Sequence, residues 1–373
     1  MIKLNNSEES NENDKLGTLT QKEIYEIPSI LQNVLAQKDF IRNIAKELSK
    51  KSVTHIYLIG AGSSYHAGFA ISYMFNRLTN IPTFTEYSME FQYLILPILQ
   101  KSDCVIGISQ SGETKDTVES LRQAKEFGSF TIGITNNPDS NLAKVPDIVI
   151  ELKCGEEKSV LATKTYLAEL TVLVIFSLEL AGQNKSISNE EYNRIWVELI
   201  RIPDKVHSIL PSLHSMIKDN VSFFKSTKFC FIIGSGPDYA TAMEAALKLK
   251  EGARIFSQAY STAEFPHGPI TLADSDSCIL AIIPHEEDKR KENLLHLLKR
   301  LKERDAKILG IYESIDSDYV PESIDYGIKV PNSYIDLQPL IIIIAIQLLT
   351  IEIAKINGLN PDEPKFLTKI SNL

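Results

Sequence analysis

Residues 56–74 read IYLIGAGSSYHAGFAISYM, and residues 229–247 read FCFIIGSGPDYATAMEAAL. Each segment opens with apolar and β-branched residues, turns at Gly-x-Gly, passes a polar pair and a tyrosine, and continues as a helix-like pattern. A short apolar strand feeding directly into a helix is half of a βαβ unit, and such units build parallel sheets. The repetition of the whole pattern indicates a duplication at the scale of a domain.

The flanking sequence repeats the same alternation. In the first half, CVIGIS (104–109) precedes the helical TKDTVESLRQAKEFG (114–128), and FTIGIT (130–135) and DIVIEL (147–152) follow. In the second half, CILAIIP (278–284), KILGIYE (307–313) and DYGIKVP (325–331) take the equivalent places. The expected fold class is α/β, with two domains that are each a doubly wound, flavodoxin-like parallel sheet flanked by helices. The expected organisation is a disordered tail and helical leader over 1–49, domains over 50–182 and 225–355, a helical connector over 183–224, and a C-terminal tail over 356–373.

A chain of 373 residues accommodates two such cores. The net charge of −9 argues against a nucleic-acid partner and against an anionic membrane surface, both of which need a basic face. A small phosphorylated ligand remains compatible, because a pocket acts locally. Cys104, Cys154, Cys230 and Cys278 lie far apart without CxxC or Cys/His spacing, so neither a metal site nor a disulfide framework is expected. Thiols without partners suit a cytoplasmic protein. The first residues, MIKLNNSEESNENDKLG, lack the apolar core of a signal peptide and read as disordered. The apolar run PLIIIIAIQLLTIEIAKI (339–356) carries Gln347, Glu352 and Lys355, which favours a buried core helix over a membrane span.

In a doubly wound sheet, ligands sit beyond the carboxyl ends of the strands. Gly60 to Ser64 and SQSGET (109–114) both occupy such ends. Ser109, Gln110, Ser111 and Thr114, with the start of a helix and Gly112 allowing close approach, are suited to an anion. The alternative is an ordinary helix cap, with Ser111 as the capping residue and Thr114 in the first turn. The matching stretch of the second half reads IPHEE (283–287), and Glu286 and Glu287 would repel a phosphate. An anion site is therefore expected only in the first domain.

The stretch AMEAALKLKEGARIFSQAYSTAEFPHGPI (242–270) concentrates groups able to move protons. Glu244, Lys248 and Glu251 share one helix face, where they form either a catalytic set or a solvated ion-pair stripe. His267 stands in a turn held by Pro266, Gly268 and Pro269 and is either functional or a surface loop residue. GEEKSVLATKTYLAELTVL (155–173) reads as a capped core helix with Lys164 snorkelling to water.

GAGSSYHAG (60–68) with SQSGETKDT (109–117) resembles the sugar isomerase (SIS) domain. The duplicated arrangement is similar to the isomerase half of glucosamine-6-phosphate synthase and to its glutaminase-free, deaminase-type relatives, from QKEIYEIP (21–28) to the last residues. The resemblance implies that Gly62, Ser63, Ser64, Ser109, Gln110, Ser111 and Thr114 bind the sugar 6-phosphate end, and that Glu157 and Val160 contact the sugar. It implies that Glu251 shuttles the C1/C2 proton while Glu244 and Lys248 orient the open chain. His267 would open the ring in the site of a neighbouring subunit, which makes the expected assembly a homodimer. Lys369, in NPDEPKFLTKI (360–370), matches the imine-forming lysine, with Lys365 as its near competitor.

EKSVLATK (157–164) and STAEFPHGP (261–269) are closer to the patterns ExSVxATK and SAEFxHGP of the stand-alone members than to EIGVASTK and AGELKHGP of the synthases. With Ile2 after Met1, glutamine-dependent synthesis is not expected from this chain alone. The implied reaction converts glucosamine 6-phosphate and water to fructose 6-phosphate and ammonia, with no cofactor. The other readings are a fructosamine-6-phosphate deglycase, an isomerase of another phosphosugar, and a non-catalytic sugar-phosphate sensor.

Overall fold

The computed structural model describes residues 15–225, 227–284, 289–313 and 322–369. The expected disorder at 1–14, the pair Glu286 and Glu287, and the last four residues lie outside the described residues. The chain forms two compact units. The described chain opens with helix α1 (Thr18–Tyr25), which belongs to the second unit together with Lys158–Thr163 and Asp204–Lys369. The first unit is built from Ile27–Glu157 and Lys164–Pro203.

The first unit runs through α2 (Ile27–Leu35), α3 (Lys38–Ser49), β1 (Ile56–Gly60), α4 (Ser63–Thr79), β2 (Thr83–Tyr87), α5 (Ser88–Leu94) and β3 (Cys104–Ile108). It continues with α6 (Lys115–Phe127), β4 (Phe130–Thr135), β5 (Ile148–Glu151) and α7 (Lys164–Asn184). The strands pair in parallel in the order β2-β1-β3-β4-β5. Every residue of β1 and β3 is buried, as strands covered on both faces require. Helix α7 is buried on all sides because α2, α3 and α4 pack around it. Its buried Glu179 receives Arg42 Nε at 2.9 Å and the Tyr192 hydroxyl at 2.8 Å, so the carboxylate is compensated where it lies.

Helix α8 (Asn189–Asn220) leads into the second unit. There follow β6 (Phe229–Gly234), α9 (Pro237–Ala253), β7 (Phe256–Ser261), β8 (Cys278–Ile283), α10 (Lys289–Lys302), β9 (Lys307–Glu313), β10 (Tyr326–Val330) and α11 (Gln338–Ile356). The sheet order is β10-β9-β8-β6-β7, all parallel, which is the order of the first sheet repeated. The strand order reverses between β1 and β3 in one unit and between β6 and β8 in the other, and those are the ligand positions of this topology. The α/β class and the duplication are therefore as the sequence indicates.

The turns after β1 and β6 have the same geometry. A Cβ on Gly60 would lie 2.9 Å from the backbone of Ser64 and Tyr65; one on Gly234 would lie 2.4 Å from the carbonyl oxygen of Asp238. Gly62 and Gly236 follow with φ of 55° and 62°, where L side chains are strained. By this geometry Ser64 and Asp238 are equivalent positions.

The apolar run from Pro339 is the buried helix α11, packed against α9 and α1. Its Glu352 is buried, receives Lys355 Nζ at 2.8 Å, and lies 2.9 Å from His214 Nε2. An ionised carboxylate only accepts, so this ring nitrogen donates, and the opposite nitrogen faces the Tyr25 hydroxyl of α1 at 3.1 Å. Burial alone would raise the carboxyl's pKa, but the hydrogen bonds and charges of His214 and Lys355 outweigh it and hold the pKa below the usual value. A depressed folded-state pKa adds stability above the unfolded value, about 4.3, and that stability is lost as pH falls through the folded value. Denaturant midpoints measured from pH 6 down to pH 3 should therefore fall for the wild type, and fall less steeply for Glu352→Gln.

Candidate active site

In the first unit, the residues from β3 to α6 form a loop closed on itself. Ser109 Oγ lies 2.9 Å from Thr114 Oγ1 and accepts the Gly112 N–H at 3.1 Å. Ser111 Oγ accepts the N–H of Glu113. Helix α6 begins at Lys115 with Thr114 as its N-cap, and the Thr114 hydroxyl bonds to Ser109 instead of capping the helix. Ser111 therefore does not fill the capping role that the sequence left open. The loop is pinned from β4 and the turn after it: Thr135 Oγ1 donates to Gln110 O, Asn136 N–H donates to Gln110 O, and Leu142 N–H donates to Gly112 O. Gly112 has φ 70°, and a Cβ there would lie 2.0 Å from Ser140 Oγ. Three hydroxyls and a helix start are thus gathered at the switch point, the arrangement that favours an anion.

Across the switch point, Gly62 is exposed and Ser63 and Ser64 are half-buried at the start of α4. The Ser64 hydroxyl donates to Glu169 Oε1 at 2.8 Å, so its proton is directed into α7. Glu157, buried, accepts both the N–H and the hydroxyl of Thr165 and caps the first turn of α7. Lys164 is 4% exposed, so it does not snorkel to water as expected. Burial, with the Glu157 and Glu169 carboxylates adding to it, pushes the Cys154 thiol up to about 12, which leaves it a thiol at neutral pH.

The second unit holds the groups suited to proton transfer. On α9, Lys248 Nζ lies 2.5 Å from Glu251 Oε2 and 3.4 Å from Glu244 Oε1. Lys248 and Glu244 are 1% and 0% exposed, so the trio is not a solvated stripe. The Glu251 side chain is 19% exposed and reaches a cavity of about 390 Å³ bounded by Lys250, Arg254, Phe256, Pro364, Lys365 and Leu367. One carboxylate therefore meets solvent space while the lysine and the other carboxylate are held inside. Gly252, next along, leaves room for a neighbouring segment, since a Cβ there would lie 2.7 Å from Thr350 Cγ2 and 3.0 Å from Leu161 Cδ2.

The C-terminal tail, which its composition alone would leave frayed, is docked over its described residues. Asp362 accepts the N–H and hydroxyl of Thr20 at 2.7 and 2.6 Å, and closes the first turn of α1. Lys369 Nζ donates to Ser159 O at 2.7 Å, and Val160 N–H donates to Asp362 O. Lys369 is half-buried, and Lys365 is exposed at the cavity beside Glu251.

His267 is exposed in the turn after β7. Buried Phe265 anchors that turn against Phe231 and Tyr260, and the His267 N–H donates to Glu264 O. In the second sheet the position equivalent to Ser64 is Asp238, buried in the first turn of α9. A carboxylate there opposes a phosphate.

Sequence reasoning missed Glu169, Thr165, Ser140, Glu23 and Asp362. A glutamate inside the largely apolar helix α7, a feature it shares with Glu179, was a signal for Glu169. Nothing local distinguishes Glu23 from its charged neighbours. For the loop, Gly112→Ala should distort residues 109–114 at about 1–3 kcal/mol, and calorimetric titration with inorganic phosphate should show affinity falling by tenfold or more.

A family model described as SIS domain matches residues 47–178 and 223–356. Glutamine–fructose-6-phosphate aminotransferase (isomerizing) from Gloeobacter violaceus is 35% identical over 354 residues, which is 93% of this chain and 57% of that protein. The chain thus spans somewhat more than half the length of this relative. The C-terminal domain of glucosamine-fructose-6-phosphate aminotransferase from Francisella tularensis superposes with a TM-score of 0.86 at 29% identity, covering 94% of this chain and 99% of that one. A glucosamine-6-phosphate deaminase from Thermotoga maritima has the same fold, with a TM-score of 0.74 at 24% identity over 95% of this chain and 99% of that one. With the family model covering most of both halves and the parallel sheet repeated in the same order, the chain belongs to the SIS-domain family and carries the domain twice.

Proposed function

We propose that this protein is an aldose–ketose isomerase of amino-sugar 6-phosphates, and that it converts glucosamine 6-phosphate and water to fructose 6-phosphate and ammonia. The observation that carries the reading is the α9 trio: a buried lysine between two carboxylates, one of which, Glu251, reaches a solvent cavity. A proton shuttle between adjacent carbons needs one carboxylate held in place and able to touch substrate. The similar proteins from Gloeobacter and Francisella, whose names specify fructose 6-phosphate or glucosamine, support the substrate class.

In this reading, phosphate recognition falls to Ser109, Gln110, Ser111 and Thr114, with Gly62, Ser63 and Ser64 completing that end. His267 transfers the proton that opens the pyranose. Glu251 removes the C2 proton and returns it to C1, which leaves a C2 iminium. Lys248 orients Glu251, and Glu244 balances the lysine's charge. Lys369 attacks C2 and expels ammonia, and water then releases fructose 6-phosphate; direct attack by water gives the same balance. Glu157 and Val160 shape the sugar end.

An exposed His267 ring is what delivery into a second copy of the chain requires, so the working form in this proposal is a homodimer. The test is release of ammonia and fructose 6-phosphate from glucosamine 6-phosphate by purified protein. Glu251→Gln and His267→Ala should each reduce kcat by about 10²–10⁴-fold, and unchanged rates would remove both residues from the mechanism. Turnover of ε-fructosyl-lysine 6-phosphate in place of glucosamine 6-phosphate would establish a deglycase instead. Binding without turnover of either would establish a sensor. Unfolding and refolding the two inactive variants together should restore activity if His267 serves its partner's site, and restore none if each chain is self-sufficient.

A further inference from the structure

We propose that Glu23, on the leader helix α1, is a positioning residue for Lys369 and acts through the backbone of Lys158 and Ser159. The proposal deepens the reading above, since it takes Lys369 as the amine that attacks the sugar.

Glu23 is 2% exposed. Its Oε1 accepts the Lys158 N–H at 2.5 Å, and its two oxygens lie 3.3 and 3.4 Å from the Ser159 nitrogen. A carboxylate so buried is tolerated only with donors of this kind, and the two amides in turn need an acceptor. The next peptide plane, between Ser159 and Val160, is held by the tail at both ends: its N–H donates to Asp362 O at 3.1 Å, and its carbonyl oxygen accepts Lys369 Nζ at 2.7 Å. Asp362 in turn closes the first turn of α1 through Leu19 and Thr20.

These bonds form a circuit. Helix α1 holds the tail through Asp362, the tail holds Val160, and the 158–159 backbone returns to α1 through Glu23. Lys369 is joined to that circuit by the hydrogen bond from its Nζ to Ser159 O. An amine that forms an imine must point its lone pair at the carbonyl carbon, and donating one N–H to a fixed carbonyl restricts where the lone pair can point. Without Glu23 the 158–160 backbone loses one of its anchors, and the carbonyl that accepts from Lys369 is held less firmly.

The test separates this role from general stability and from the proposed reaction. Full-length wild type, Glu23→Ala and Glu23→Gln are treated with formaldehyde and cyanoborohydride in the absence of sugar. Peptide mass spectrometry then gives the methylation rate of Lys369 relative to the exposed Lys365. The expected result for Glu23→Ala is a two- to tenfold rise in that ratio, about the fold-change carried by one hydrogen bond. Glu23→Gln, which keeps the shape and one acceptor, should give a smaller rise, and it decides the matter if the alanine variant does not fold. An unchanged ratio in the folded variant overturns the proposal. Borohydride trapping of fructose 6-phosphate on Lys369 is measured in parallel and should fall in Glu23→Ala. If the ratio shifts but wild type traps no sugar and releases no ammonia, the positioning stands and the proposed reaction fails.

Discussion

A parallel strand that runs straight into a helix leaves no room for a side chain where the two meet. Gly60 and Gly234 both stand at that junction, with the backbone four residues on lying within 3 Å of where a Cβ would be. This close approach lets α4 and α9 begin immediately above their sheets. It also puts the first turn of each helix, and the loop of the neighbouring strand, at the place where the strand order reverses. The residues proposed for ligand recognition in the first unit, and the starting point of the helix that carries Glu244, Lys248 and Glu251 in the second, depend on those two turns.

The duplicated halves diverge in the charge placed at equivalent positions. Ser64 in one corresponds to a buried Asp238 in the other, and the hydroxyl-rich 109–114 sequence of the first is matched by IPHEE (283–287) in the second. One copy of the scaffold keeps hydroxyl groups at its switch point. The other copy carries its ionisable groups further along the helix, where burial turns what would be a surface stripe into a compensated trio. Burying a lysine between two carboxylates is tolerable because each charge has a partner within reach, whereas any one of them alone would be expensive to desolvate.

The tail and the leader illustrate a second use of the same accounting. Asp362 and Glu23 are carboxylates whose main partners are backbone N–H groups, and each ties together segments remote in sequence. Short polar segments with few apolar residues acquire fixed positions in this way, because unsatisfied amides and carboxylates cannot be left in a buried seam. The ordering of Lys369 therefore rests on electrostatics and hydrogen bonding more than on hydrophobic burial.

What the amino-acid sequence determined by itself was the class of fold, its duplication, the buried nature of the 339–356 helix and the identity of the hydroxyl loop. All of these are local patterns: period-two and period-3.6 apolar spacing, glycine at tight turns, and motif spacing within a few residues. What only the tertiary structure decided was which charges are buried and whom they meet. The Glu244–Lys248–Glu251 face reads identically as solvent stripe or buried trio until the packing around α9 is known. Lys164 and Glu157 are likewise assigned by the neighbours of α7, and Ser64 by a glutamate 105 residues away. The docking of Asp362 onto Thr20 spans 342 residues, and a contact at that separation leaves no periodic trace in the sequence, because it depends on the free energy of the folded whole and not on any local preference.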